Sequence, residues 1–227
     1  FADARDPTPW RQAVDRAAAL GADTLIAADV AVMAYARDHQ PGLRLHLSVQ
    51  ASATSYEAIE VYRERYGIRR AVLPRVLTLS QVQHVIRNSS AEIEVFGFGS
   101  LCVMVEGRCA LSSYVTGQSP NTVGVCSPPS AVRWEETPGG VQARLNDVLI
   151  DVYAPDEPRG YPTLCKGRFV VDGQPDYPIE EPTSLNTLAI LPQLIEAGVA
   201  AIKIEGRQRS PSYVAEVTRV WRAAIDH

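Results

Sequence analysis

The chain has 227 residues, 46% hydrophobic and 21% charged, a balance that excludes disordered and fibrous classes and a length that can bury a full core. A formal net charge of -4 argues against a broad phosphate-binding face, and no apolar run approaches the roughly 20 residues of a membrane span. Four cysteines are too sparse for a secreted disulfide scaffold, so a soluble protein of a reducing cytoplasm is expected.

The opening stretch FADARDPTPW is neither a signal peptide nor an initiator start, and a preceding segment is expected. From residue 10 onward, helix-like and strand-like blocks alternate. WRQAVDRAAALGA (10–22) carries a helical apolar stripe stopped by Gly21. DTLIAAD (23–29) reads as a short buried strand, and VAVMAYARDHQPG (30–42) as a helix ending at Pro41 and Gly42. LRLHLSVQ (43–50) is a strand, SYEAIEVYRERYG (55–67) a helix opened by a serine cap, and RRAVLPR (69–75) a strand. TLSQVQHVIRN (78–88) and AEIEVFGFG (91–99) repeat the pattern. This rhythm, roughly 20 to 25 residues per unit, is that of βα units in a parallel sheet. It returns at the end as TSLNTLAILPQLIEAG (helix), VAAIKIEG (strand) and SPSYVAEVTRVWRAAID (helix).

Between Cys102 and Pro182 the rhythm is lost, and Pro, Gly and Ser punctuate the chain. Two apolar runs there, DVLIDVYA and GRFVVDG, point to a small inserted β subdomain rather than a linker. The expected organisation is thus an α/β, barrel-like body of repeated βα units over residues 1–101, closed by residues 183–227, with a cysteine-bearing segment at 102–182.

Reactive groups of α/β proteins sit where strands end. The strand ends here carry Asp29, Ser48, Gln50, Ser52, Arg75, Glu205 and Arg207. Gln50, Arg75 and Arg207 fall at matching positions of separate units, which makes this end a candidate pocket.

The cysteines, Cys102, Cys109, Cys126 and Cys165, follow a C-x6-C-x16-C-x38-C pattern. Gly107, Gly124 and Gly167 stand within two residues of three of them, and glycine turns let backbone N–H groups approach thiolate sulfur. A zinc knot uses paired short knuckles that are missing here. Disulfides do not suit the compartment. An all-cysteine iron–sulfur site is the leading reading, and ordinary buried thiols stay open beside it.

The blocks EVFGFGSLCVMVEGRCALSSY, SPNTVGVCSP, VRW, GYPTLCKGR, EEPTSLNTL and IKIEGRQRSPSYV, with the earlier LSVQASAT and VLPRVL, resemble the collagenase-like peptidase family, in its branch of bacterial ubiquinone-biosynthesis proteins. The resemblance implies a [4Fe-4S] cluster held by Cys102, Cys109, Cys126 and Cys165, and a barrel-like α/β body. It implies a heterodimer with a UbiV-like cluster protein, help from a UbiT-like lipid-binding accessory protein, and O2-independent hydroxylation of a ubiquinone precursor with prephenate as oxygen source. Prephenate carries two carboxylates, which arginine binds in bidentate fashion. Arg75 and Arg207 are therefore the expected donor-binding groups, with Glu205, Gln50 and Ser48 orienting them. RNA-base hydroxylation, known in the same family, is the alternative, and a non-catalytic cluster-bearing scaffold is a third. A peptidase is not expected, because the chain has neither HExxH nor G-x-S-x-G.

Overall fold

The computed structural model describes every residue except Phe1, Ala4, Val103, Val105, Gly107, Pro182, Arg207 and Gln208. Gly107 and Arg207, both singled out by the sequence, therefore lie outside the described residues. The chain forms two compact units, one of Phe1–Leu101 with Ser184–His227, the other of Cys102–Thr183.

The first unit is α/β, with a largely parallel sheet. Helix α1 (Thr8–Ala19) precedes β1 (Thr24–Ala27), α2 (Val30–His39), β2 (Arg44–Leu47), α3 (Tyr56–Tyr66), β3 (Ile68–Val72), α4 (Leu79–Asn88) and β4 (Glu92–Ser100). Strands β1 to β4 pair in parallel in chain order. The free side of β4 takes β11 (Ala201–Ile204) in parallel and, nearer its end, β10 (Ser184–Asn186) antiparallel. Each helix start is written locally. The Asp29 carboxylate accepts from the Ala31 and Val32 N–H groups, Ser55 caps α3, and Thr78 with Gln81 forms a reciprocal capping box.

Strand alternation divides the two faces of this sheet. Leu45, Leu47, Ala71, Ile93 and Val95 join Met33, Ala36, Ile59, Val82 and Val85 of the helices in the main core. The opposite face is mixed: Val72 and Phe96 are buried apolar groups there, and beside them lies a charged cluster. Arg70 donates to Glu92 at 2.8 Å and to Glu94 at 3.3 Å, and the Lys203 ammonium reaches Glu94 at 3.3 Å. A parallel sheet normally buries apolar side chains on both faces; here one face carries an ion network around the buried Glu94.

The two glycines of FGFGS explain how β4 accepts its late partners. A Cβ on Gly97 would overlap the Ile202 side chain of β11 and stand 3.0 Å from the Trp221 ring of α8 (Pro211–Asp226). Gly99 has φ +137, and a Cβ there would stand 2.5 Å from Cβ of Glu205.

Two expectations are corrected. TSLNTLAILPQLIEAG is not one helix; it holds β10, a 3₁₀ turn at Leu188–Ile190, and only then α7 (Leu191–Ala197). The cause is local competition: Asn186 Oδ1 accepts from the Leu188 N–H at 3.1 Å, and the Thr187 N–H donates to the Gly97 carbonyl at 2.9 Å. The strand expected through Gln50 stops at Leu47, because the Ser48 hydroxyl accepts from the Gln50 N–H and turns the chain into a 3₁₀ segment, Val49–Ala51. Beyond Cys109 the chain forms a helix, α5 (Ala110–Thr116).

In the second unit, α5 and α6 (Pro120–Val123) are followed by an antiparallel sheet of β5 (Val132–Thr137), β6 (Gly140–Leu145) and β7 (Val148–Tyr153). A separate hairpin pairs β8 (Phe169–Val171) with β9 (Gln174–Asp176). Val115, Leu145 and Ile150 form its core, with Val132 and Leu164 packed on them. Among the described residues no helix is long and apolar enough to cross a membrane.

Candidate functional site

All four cysteines fall in the second unit. The Cys102 thiol stands 3.7 Å from the Met104 carbonyl. Cys109 is the N-cap of α5, and its sulfur accepts from the Ser112 N–H at 3.3 Å. Cys126 follows α6 and is exposed, while Cys165 lies half-buried in a 3₁₀ turn, Leu164–Lys166. Leu164 packs on the same small core as Val115 of α5, so the Cys165 turn and the helix capped by Cys109 share one support.

That turn is pinned from its far side. Gly167 lets the backbone lie close to β7, since a Cβ there would stand 2.9 Å from both the Ile150 carbonyl and the Phe169 ring. Arg168 then donates to Asp151 and to Glu157, each at 2.8 Å, and lies over the Tyr153 ring at 5.8 Å. Asp151 is 3% exposed, so this guanidinium compensates a buried carboxylate. The carboxylates beside it hold Arg168 well above its ordinary pKa, the Glu157 hydrogen bond contributing most. Burial, followed by the nearby Asp151 charge, pushes the Tyr153 phenol up to about 12.

Cys165 is an electrostatically unusual thiol. Burial, then the Glu180 carboxylate, pushes it up to about 12, and Cys126 is near enough to add a smaller increment. Among the described residues, no group of three or more His, Cys, Asp or Glu side chains stands close enough to hold a metal ion. The chemistry of the donor set nevertheless fits an iron–sulfur centre: the unit supplies four thiols and no histidine, and one sulfur already accepts a backbone N–H. The second unit also holds buried polar atoms with no hydrogen-bond partner among the described residues. Ser127 Oγ, next to Cys126, Asn121 Oδ1 in α6, and both oxygens of Glu180 are such atoms.

The strand-end group lies in the first unit. Ser48 and Gln50 form the capped turn after β2, so the Ser48 hydroxyl is engaged in that turn. Arg75, half-buried after β3, stacks its guanidinium 3.5 Å from the centre of the Phe96 ring. Phe96 in turn packs with Val49, Val72 and Leu185. Glu205 follows β11 and accepts from the Ser100 N–H at 3.2 Å. These residues therefore share one end of adjacent strands. The sequence reading gave no role to the Phe96 platform, to Glu180 or to the Arg168 clamp. Ser52, at the same strand end, is left-handed at φ 55, with a buried hydroxyl that has no partner among the described residues. Two surface depressions, of about 490 and 270 Å3, lie on β5 and β6, and neither is lined by a cysteine.

Comparison with known proteins places the chain in a wider group. It is 31% identical to tRNA hydroxylation protein P of Escherichia coli (strain K12), over 91% of this chain and 49% of that protein. It is 30% identical to tRNA hydroxylation protein P1 of Bacillus subtilis (strain 168), over 89% of this chain and 42% of that protein. A collagenase of Porphyromonas gingivalis (strain ATCC BAA-308 / W83) is 29% identical, over 95% of this chain and 47% of its own length. The chain thus spans under half the length of these three relatives. No solved structure matches it. The model of peptidase family U32 matches residues 4–227, and the chain belongs to that family, whose members here include proteins named for tRNA hydroxylation.

Proposed function

We propose that the chain is a UbiU-like iron–sulfur subunit of an O2-independent hydroxylase acting on a ubiquinone precursor. The observation that carries this reading is the confinement of all four cysteines to one compact unit, Cys102–Thr183. Relatives named for hydroxylation support the reaction class. The quinone substrate rests on the sequence blocks quoted above and on the net charge of -4, which does not favour a polyanion.

In this reading Cys102, Cys109, Cys126 and Cys165 hold a [4Fe-4S] cluster, which supplies one-electron transfer when bound. The chain's own residues do the rest. Arg75, fixed on Phe96, and Arg207 bind the carboxylates of a small donor such as prephenate, while Gln50, Ser48 and Glu205 shape the same strand end. The parallel sheet belongs to a barrel-like body, and a UbiV-like partner and a UbiT-like lipid carrier complete the system.

The second reading, hydroxylation of a tRNA base, is favoured by the names of the relatives themselves. One anaerobic assay separates the two. The chain with its UbiV-like partner is supplied with prephenate and either a ubiquinone precursor or tRNA, and products are read by mass spectrometry. Hydroxylated quinone precursor with unchanged tRNA is expected. Hydroxylated tRNA with unchanged quinone precursor would move the conclusion to the second reading.

A further inference from the structure

Ser52 closes the turn after β2 in a left-handed conformation, φ 55 and ψ 35. The other described non-glycine residues with positive φ are Asn146 and Asp172, types whose side chains bond locally and tolerate this region. Serine has less reason to stand there, and its hydroxyl oxygen is buried with no hydrogen-bond partner among the described residues. Both features cost free energy. The chain around Ser52 enforces them. Its N–H donates to the Val49 carbonyl at 2.9 Å, Val49 packs with Val72 and Phe96, and Ala53 on the other side is locked into the main core. Strain that packing holds in place in this way collects at ligand clamps and active sites.

The location gives that strain a use. Val49 belongs to the same apolar cluster as the Phe96 ring on which the Arg75 guanidinium rests, so the turn ending at Ser52 and the cation share one support. Ser52 as a whole is only half-buried, and a ligand at this strand end needs one χ1 step, not a rearrangement, to meet the hydroxyl.

We propose that Ser52 is a binding residue for a small dicarboxylate at this strand end, its hydroxyl donating to a carboxylate oxygen while the Arg75 guanidinium supplies the counter-charge. The inference deepens the donor-pocket reading of Arg75 and rests on it.

Two variants divide the hydroxyl from the backbone. Ser52→Ala removes the hydroxyl and keeps the left-handed strain; Ser52→Gly removes both. Unfolding in urea is followed on the full chain, and prephenate binding is measured by calorimetry on the chain with its UbiV-like partner. Ser52→Ala should be at least as stable as the wild type, and Ser52→Gly should unfold at a higher urea concentration than either. Both should bind prephenate about fivefold more weakly, the loss of one hydrogen bond. Gained stability with lost affinity is the pattern of a strained residue kept for a ligand.

A lower urea midpoint in Ser52→Ala would show that the hydroxyl serves the fold, and overturns the proposal. Wild-type affinity in both Ser52 variants, beside weakened binding in Arg75→Ala, overturns the role of Ser52 and leaves the Arg75 pocket standing. A wild type with no affinity for prephenate removes the pocket reading and this proposal together.

Discussion

The Arg168 guanidinium donates to the buried Asp151 carboxylate at 2.8 Å, and that bond ties the turn bearing Cys165 to strand β7. Removing the cation leaves Asp151, 3% exposed, without its counter-charge. Arg168→Ala should therefore lower the unfolding free energy by about 3 kcal/mol, read by urea titration. A loss below about 0.5 kcal/mol, the size of an ordinary surface substitution, would contradict a structural clamp.

The cysteines should behave as one ligand set. Serine at Cys102, Cys109, Cys126 or Cys165 should each lower the iron and sulfide retained after anaerobic loading, because an alcohol is a poor substitute for a thiolate. A fully stable four-iron cluster in Cys165→Ser would sink the four-ligand assignment.

Substitution of Gly97 tests the packing of β4. The new methyl group of Gly97→Ala would overlap Ile202 and crowd the Trp221 ring at 3.0 Å. A loss of about 1–3 kcal/mol is expected, seen as a lower urea midpoint with an unchanged slope. Wild-type stability in that variant would contradict the close approach of β11 and α8.

Arg75 should matter for turnover and not for metal. Arg75→Ala removes the cation stacked on Phe96, which lies in a different unit from the cysteines. Iron content should stay at the wild-type value while product formation falls at least about tenfold, the loss of one charge-assisted contact. Unchanged turnover would remove Arg75 from the donor pocket.

His46 gives a pH signature. Burial, and then the neighbouring Arg70 charge, holds its imidazole below the ordinary value. The unfolded chain takes up a proton near pH 6.5, and the folded chain resists doing so. The contribution of His46 is thus complete above about pH 6.5 and is lost as pH falls from there toward the lower folded value. His46→Gln should show a shallower decline of the urea midpoint between pH 7.5 and 5.5 than the wild type. Parallel declines would contradict the shift.

The parallel sheet was legible because its helices carry explicit starts, Asp29, Ser55 and Thr78, and its strands alternate in period two. The break at residues 184–190 was not, since Asn186 and Thr187 spend their side chains on local and cross-strand bonds that no apolar period announces. Strands β5 and β6 escaped for a related reason: residues such as Arg133, Glu135 and Glu136 face solvent, leaving little hydrophobic pattern to read. At the candidate site the cysteines stood out by residue type. Their support did not. Asp151 and Arg168 are separated by 16 intervening residues, and a buried Glu180 looks in sequence like any surface glutamate.

The most direct measurement is iron and acid-labile sulfide per chain after strictly anaerobic purification with the UbiV-like partner, together with visible absorption and EPR. Four irons and four sulfides per chain are predicted for a [4Fe-4S] centre. Zinc, or no metal at all, would contradict the cluster on which the proposed function stands.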